Sequence, residues 1–276
     1  MNSIVSPFEV HERRKIVRFI FGTIIFIEIY LLLSNTLLHQ FQQPVFKYLD
    51  LDITYYLFHT TRIHSFLIGN HIISMAFDYA LFGFSILCFL HPLKRVYLIG
   101  FYSFFFCYLI TRNTYALSHD HLFHGVIFAV FPFLFRSNIT AKFLWEFVRY
   151  IHLFVFSSAF FWKLFRGSCF EYNHLESIIK LNLTSYLIEN PKSIYTDLYT
   201  WLFLHPDILY TLWVLAIAME ALFIIGFFTK KYDLKLFYIG ISLHICFYFF
   251  ADALYFPILI MSFSLLNFNR SIKKNE

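Results

Sequence analysis

The sequence of 276 residues is 59% hydrophobic and 23% aromatic, and only 14% of its residues are charged. Soluble domains carry about 25% charged residues, so this composition excludes an ordinary soluble enzyme and indicates a polytopic membrane protein. The net charge of +5 does not predict a nucleic-acid partner, because the basic residues gather at predicted loops. The four cysteines lie far apart without C-x-x-C or zinc-ligand spacing, so we predict no metal site.

Apolar segments of membrane-spanning length recur along the chain and predict an all-α bundle of about eight transmembrane helices. The first segment is too long for a signal-peptide core and lacks a small-residue cleavage site, so we expect it to be retained. Residues 1–276 are predicted to form a single transmembrane domain. The predicted spans cover 16–37, 71–91, 95–112, 121–136, 141–165, 206–228, 235–250 and 252–269.

The basic residues predict the orientation of these spans. With both termini in the cytoplasm, the inner segments hold about twice as many Lys and Arg residues as the outer segments, as the positive-inside rule requires. The two long outer segments, 38–70 and 166–205, contain apolar residues at helical spacing and few Pro, Gly or Ser. We expect interfacial helices on the outer face there. The predicted location is the cytoplasmic membrane, with lipid as the first partner.

Several ionisable residues fall near the outer ends of the predicted spans. Lys163 lies in the last turn of span five, and Asp78 lies about two turns into span two. A lysine at this depth snorkels to the interface, finds a partner, or acts as a neutral base. The start of span four carries a histidine cluster that is either a solvated loop or part of a site. Its members are His119, His121 and His124.

A second polar layer lies deeper in the predicted bundle. Glu220 in span six and His244 in span seven have nearly the same predicted height. A carboxylate in hydrocarbon takes up a proton or finds a cationic partner, and an imidazole at equal depth can supply one. We therefore expect a buried Glu220–His244 pair. In span five, Glu146, Arg149 and His152 recur every three residues and predict a polar stripe that bonds neighbouring spans.

Four segments together resemble the HTTM (horizontally transferred transmembrane domain) family, which includes the vitamin K-dependent γ-glutamyl carboxylases. The most specific is a long helix that begins at Arg149 and ends in Lys163-Leu164, followed by Gly167. The turn before it reads Asn-Thr-Tyr-Ala-Leu-Ser-His-Asp-His-Leu over residues 113–122. After it come Ala-Met-Glu-Ala-Leu-Phe over 218–223 and Ser-Leu-His-Ile over 242–245.

The resemblance implies a role for each of these residues. Lys163 would be the base that deprotonates a quinol such as reduced vitamin K, and His121 would stabilise the reaction intermediate. The family's usual tryptophan before the glycine is replaced by Phe165 and Arg166, and the sequence ends at Glu276. We therefore do not expect carboxylation of a protein substrate without a partner subunit. From their positions in the predicted spans, the further residues expected to line a substrate pocket or form structural polar pairs are Asp78, His119, His124, Arg149, Glu220 and His244.

Three classes of function follow. The first is a membrane enzyme that acts on a lipid-soluble quinol or on a membrane-presented peptide, with Lys163 and His121 in catalytic roles. The second is a non-catalytic membrane factor for maturation or export of a secreted peptide or protein partner. The third is a proton relay or transporter that uses Asp78, Glu220 and His244, although the sequence shows no inverted repeat and no Gly/Pro-broken helix pair.

Overall fold

The computed structural model describes residues 8–40, 53–62, 66–67, 69–115, 124–251 and 255–267. Within these ranges the chain is all-α and contains no strand. The helices are α1 (Val10–Leu33), α2 (Ile53–Thr61), α3 (His71–Leu90), α4 (Arg95–Tyr115), α5 (His124–Val130), α6 (Asn138–Arg166), α7 (His174–Glu189), α8 (Ile194–Phe203), α9 (Pro206–Phe228), α10 (Asp233–Ala251) and α11 (Phe256–Ser262).

Four of the described helices are long and apolar enough to cross a membrane. They are α1 with the short turn that follows it, α3, α9 and α10. Only 28% of the most apolar window of α9 is buried inside the protein, although its mean hydropathy is 2.3. A helix that is apolar on its outward face as well as its inward face requires a lipid surrounding. These four helices indicate a multi-pass membrane protein, as the composition predicts.

The other predicted spans differ from this group in length or polarity. Predicted spans three and four correspond to shorter apolar helices, Arg95–Thr111 and His124–Leu134. Predicted span five lies within α6, whose 29 residues include the charged side chains Lys142, Glu146, Arg149, Lys163 and Arg166. The last predicted span, 252–269, contains the seven-residue helix α11, and part of it lies outside the described residues.

The chain divides into two compact units, Met1–Val148 with Phe256–Glu276, and Arg149–Tyr255. In the first unit, α1 packs against α3, α3 against α4, and α5 against α11. Arg13 closes one end of this unit, because its guanidinium donates to the carbonyls of Phe133 and Phe135 at 2.9 and 2.6 Å and to Asn138 Oδ1 at 3.0 Å. These bonds satisfy carbonyl groups left open where a short 3-10 turn ends.

In the second unit, α7 and α8 pack against the long apolar helices α9 and α10. The predicted helices in segment 166–205 are present as α7 and α8. One face of α7 is buried, and Leu181 on the opposite face is 80% exposed, so α7 carries apolar side chains on its outward face as well. The apolar cluster between these helices consists of Leu175, Ile179, Leu183, Tyr199, Leu202, Leu209, Trp213 and Ile217.

Candidate functional site

Lys163 lies in the last turn of α6, and the chain after it is fixed by specific bonds. Gly167 adopts a left-handed conformation with φ of 77°, which ends the helix at low steric cost. Ser168 Oγ then donates to the Lys163 carbonyl at 3.2 Å. Trp213 Nε1 on α9 donates to the Ser168 carbonyl at 2.8 Å. The end of α6 is thereby held against α9, and the lysine side chain is directed along that helix.

The Lys163 ammonium bonds to Glu220 Oε1 on α9 and forms an ion pair with it. The amine also lies 5.4 Å from the centre of the Trp213 ring, a distance suited to a cation–π contact. The Lys163 side chain is 21% exposed, whereas the Glu220 side chain is 1% exposed. The pair therefore joins a partly exposed lysine side chain to a buried carboxylate.

Glu220 is not fully bonded by this contact. Its second oxygen, Oε2, is buried without a hydrogen-bond partner among the described residues. A carboxylate has two oxygens that can accept several hydrogen bonds. Glu220 therefore keeps an open acceptor oxygen in the buried part of the pair.

The predicted Glu220–His244 pair is wrong. His244 Nδ1 instead donates to the carbonyl of Gly240, one turn earlier on α10, at 2.6 Å. The lysine side chain reaches down to the carboxylate from the helix end, so the two predicted polar layers are joined by Lys163. The Nδ1 of His244 is therefore used within its own helix and not by Glu220.

Below this pair, α6 carries a second and more completely bonded cation. Arg149 is 2% exposed and forms two bonds to the Asp233 carboxylate, from Nε to Oδ2 at 2.8 Å and from Nη2 to Oδ1 at 2.6 Å. Its Nη2 also donates to the Gly226 carbonyl at 2.8 Å. The prediction that Arg149 bonds neighbouring helices is confirmed, and Asp233 and Gly226 are partners that residue spacing did not identify.

His152 follows Arg149 by one turn and is completely buried. Neither of its ring nitrogens has a hydrogen-bond partner among the described residues. The ring packs edge-on against Phe156 and Phe223, whose own rings stack at a centroid distance of 4.3 Å. His152 thus belongs to the buried side of α6, but through aromatic packing rather than the bonding that the polar stripe predicts.

Asp78 lies in the first unit and has a partner that the sequence did not indicate. Its Oδ2 accepts from the backbone N–H and from Nδ1 of His39, at 2.9 and 2.7 Å. Glu28 on α1 is also buried, and its Oε1 accepts from Ser85 Oγ at 2.8 Å. No role was predicted for Glu28 from the sequence, and its partner Ser85 is 57 positions away.

The histidine cluster is mostly outside the described residues. His119 and His121 lie there, so their predicted roles stay predictions. His124 begins α5 and is half-buried. Among the residues that the structure describes, no group of three or more His, Cys, Asp or Glu side chains is arranged to hold a metal ion.

No protein-family model matches the chain, and no curated protein or solved structure is similar enough to count as a match. The resemblance to the HTTM family therefore rests on the sequence segments alone, and what it implies for Lys163 is argued below as a proposal.

Proposed function

We propose that this chain is a multi-pass membrane enzyme of HTTM type in which Lys163 removes a proton from a lipid-soluble quinol. The observation that carries the proposal is the Lys163–Glu220 pair, in which a partly exposed amine is backed by a buried carboxylate with one free oxygen. Both termini would be cytoplasmic, with eight spans and with α7 and α8 at the outer interface.

The pair can supply a neutral amine. Burial of Glu220 disfavours its charged form, and this desolvation offsets part of the attraction between the two charges. A proton passes from Lys163 Nζ to Glu220, which leaves an amine and a carboxylic acid. The amine then takes the phenolic proton of the quinol, and a quinolate anion forms beside the new ammonium. The positive charge stays next to the developing anion, where it stabilises it.

An aromatic groove on the same two helices has room for a flat, lipid-soluble ring, and neither Lys163 nor Glu220 lines it. The groove has a volume of about 470 Å³ and is lined from α6 and α9, the two helices that carry the ion pair. Its walls include Phe154, Phe161, Trp162 and Phe227. Aromatic walls of this kind offer stacking and edge contacts to a quinol ring or to an isoprenoid tail.

The test uses the full chain in nanodiscs loaded with reduced vitamin K under air. A quinolate reacts with oxygen faster than a neutral quinol, so base catalysis is read from the rate of quinone formation by absorbance. We expect quinone formation above that of empty nanodiscs for the unaltered protein. The double variant Lys163→Met/Glu220→Gln removes the base without leaving an unpaired buried charge, and its rate should fall to background.

The matched control is the double variant Lys180→Met/Glu176→Gln. It removes an ion pair of the same composition from α7, where the lysine side chain is 58% exposed. This variant should keep the full rate of quinone formation. Unchanged quinone formation in the Lys163→Met/Glu220→Gln protein would rule out Lys163 as the base.

A second candidate function rests on the outward faces of α7 and α8. Leu181, Ile188 and Ile194 are 72–84% exposed, which suits either a membrane surface or a bound secreted peptide. A non-catalytic maturation or export factor would use this surface to hold its partner. A photo-crosslinker in place of Leu181 gives lipid adducts in the first case and one discrete protein adduct in the second.

A further inference from the structure

The first unit contains a partly enclosed cavity of about 80 Å³ between α1, α3, α4 and α5. Most of its walls are apolar, and they include Ile24, Leu81 and Val126. Glu28 from α1 and Asp78 from α3 also line it. These acids lie about 8 Å and 10 Å from the nearer ends of their helices, by the rise per residue. Two acids therefore face one apolar cavity at membrane depth.

Each acid uses one oxygen within the protein and leaves the other open. Glu28 Oε1 accepts from Ser85 and Asp78 Oδ2 accepts from His39, as described above. Glu28 Oε2 and Asp78 Oδ1 are buried and have no hydrogen-bond partner among the described residues. Glu28 is only 8% exposed and Asp78 only 5%. Buried acceptors without donors are costly, so these two oxygens define a place for a ligand that donates hydrogen bonds.

The charges at the cavity specify the ligand further. A cation bound between the two acids would hold both in their charged form, and its single positive charge, together with that of a doubly protonated His39, would balance their two negative charges. Metal cations such as Ca²⁺ take six to eight oxygen ligands, and the two open carboxylate oxygens fall well short of that number. An ammonium group has one positive charge and N–H donors that match two separate acceptors.

The size of the cavity agrees with a small head group. A cavity of ~150 Å³ holds a benzene molecule in a well-studied protein interior, and this one is about 80 Å³. An aromatic ring is therefore too large, whereas an ammonium group with one or two carbons fits, and its carbons contact the apolar wall. We infer that the cavity binds the primary ammonium group of a small amine or of an amine-bearing lipid, held between Glu28 and Asp78. This site uses no residue of the Lys163–Glu220 pair.

The test measures binding of radiolabelled methylammonium to the full chain in nanodiscs made of phosphatidylcholine, a lipid without N–H donors. We expect one methylammonium per chain. Glu28→Gln and Asp78→Asn should each weaken binding at least tenfold, because each removes one charged acceptor. Leu81→Phe fills the cavity without altering a carboxylate and should weaken binding to the same extent, so the test survives if one acid variant fails to fold.

The matched control is Glu12→Gln, which neutralises a buried acid at the other end of α1 that pairs with Lys142. It should leave methylammonium binding unchanged. Adding phosphatidylethanolamine, a lipid with a primary ammonium group, to the nanodiscs shows whether the ligand is a lipid or a free small amine. Displacement of methylammonium identifies the lipid as the ligand, and retention identifies a free amine. Sodium that competes as well as ammonium, or no binding to the unaltered protein, would overturn the inference.

Discussion

Two of the ion pairs on α6, Arg149–Asp233 and Lys163–Glu220, differ in how completely they are bonded. Arg149 and Lys163 are 14 residues apart on α6, about 21 Å along the axis. Arg149 meets Asp233 through two nitrogens and two oxygens, and a backbone carbonyl takes a further bond. Lys163 meets Glu220 through a single oxygen, and the other oxygen has no partner.

The difference affects whether each pair can exchange a proton. The guanidinium matches the shape of a carboxylate and stays charged, so the Arg149–Asp233 pair has little capacity to exchange a proton. A lysine amine is a single point of charge that can lose its proton, and Glu220 keeps an oxygen that can receive it. Arg149 and Lys163 therefore differ in their capacity to exchange a proton with the partner carboxylate, as the role proposed for Lys163 requires.

The largest effect is expected when the fully bonded Arg149–Asp233 pair, the closed pair, is broken. Arg149→Met leaves the Asp233 carboxylate without its cation and the Gly226 carbonyl without a donor. Removing one partner of a buried pair costs about 3–5 kcal/mol. We expect the free energy of unfolding, measured by SDS titration with tryptophan fluorescence, to fall by at least 3 kcal/mol.

Two further variants sharpen this result. Arg149→Lys should restore little of the lost stability, because one ammonium cannot bond both oxygens as the guanidinium fork does. Arg166→Met on the same helix removes an exposed guanidinium stacked 4.3 Å from the Trp162 ring, and should cost less than about 1 kcal/mol. Equal losses for Arg149→Met and Arg166→Met would show that the Arg149–Asp233 pair is not a closed structural contact.

The second effect tests the Lys163–Glu220 pair, the open pair, by a double-mutant cycle. Lys163→Met leaves a buried carboxylate unpaired, and Glu220→Gln leaves the partly exposed ammonium without a counter-charge. The double variant removes both charges, so its unfolding free energy should exceed the value expected from the summed single losses by about 1–3 kcal/mol. The SDS titration used for Arg149 measures all three proteins. Additive losses would show that the two side chains do not interact.

The long apolar helices could be predicted well from the sequence. Predicted span six covers the same residues as α9, because Pro206 and Asp207 mark its start and the apolar run ends at Phe228. Helix α1 begins six residues before its predicted span, at Val10 rather than residue 16. The apolar run that marks the span does not include the polar residues Glu12 and Arg13, whereas the backbone hydrogen bonds of the helix continue through them.

The site could be predicted only in part. Lys163 was found because a lone amine in an apolar segment is conspicuous, but its partner was not. From the sequence, each residue was given the membrane depth of its backbone, which placed Lys163 and Glu220 in different layers. The lysine side chain is long enough to span the distance between these layers, so the pair was not predicted. The contacts Arg149–Asp233 and Glu28–Ser85 join residues 84 and 57 positions apart. No local spacing encodes such pairs, since they depend on which helices become neighbours.

A third, smaller effect tests the packing beside the closed pair. A Cβ at Gly226 would lie 2.5 and 3.0 Å from the two terminal carbons of Leu153 and 3.0 Å from one of Leu236. Both leucines are buried, so Gly226→Ala should cost about 1–2 kcal/mol of unfolding free energy through overpacking. At Gly83 a Cβ would meet nothing within 4 Å. Gly83→Ala is therefore the control and should not destabilise the protein, whereas equal losses would contradict the close approach at Gly226.

The smallest effect concerns the Lys180–Glu176 pair on α7, which has the same chemistry as the open pair without its burial. The two residues are one helical turn apart, and the lysine side chain is 58% exposed. Solvent and salt screen such a pair, so Lys180→Ala should lower the unfolding free energy by less than about 0.5 kcal/mol, and the loss should vanish at high salt. The coupling between Lys163 and Glu220 should persist in the same salt, because Glu220 is buried. Salt titration of both losses measures this difference. If salt reduces both losses equally, burial does not distinguish the two lysine–glutamate pairs. Lys163 then does not differ from an ordinary surface lysine.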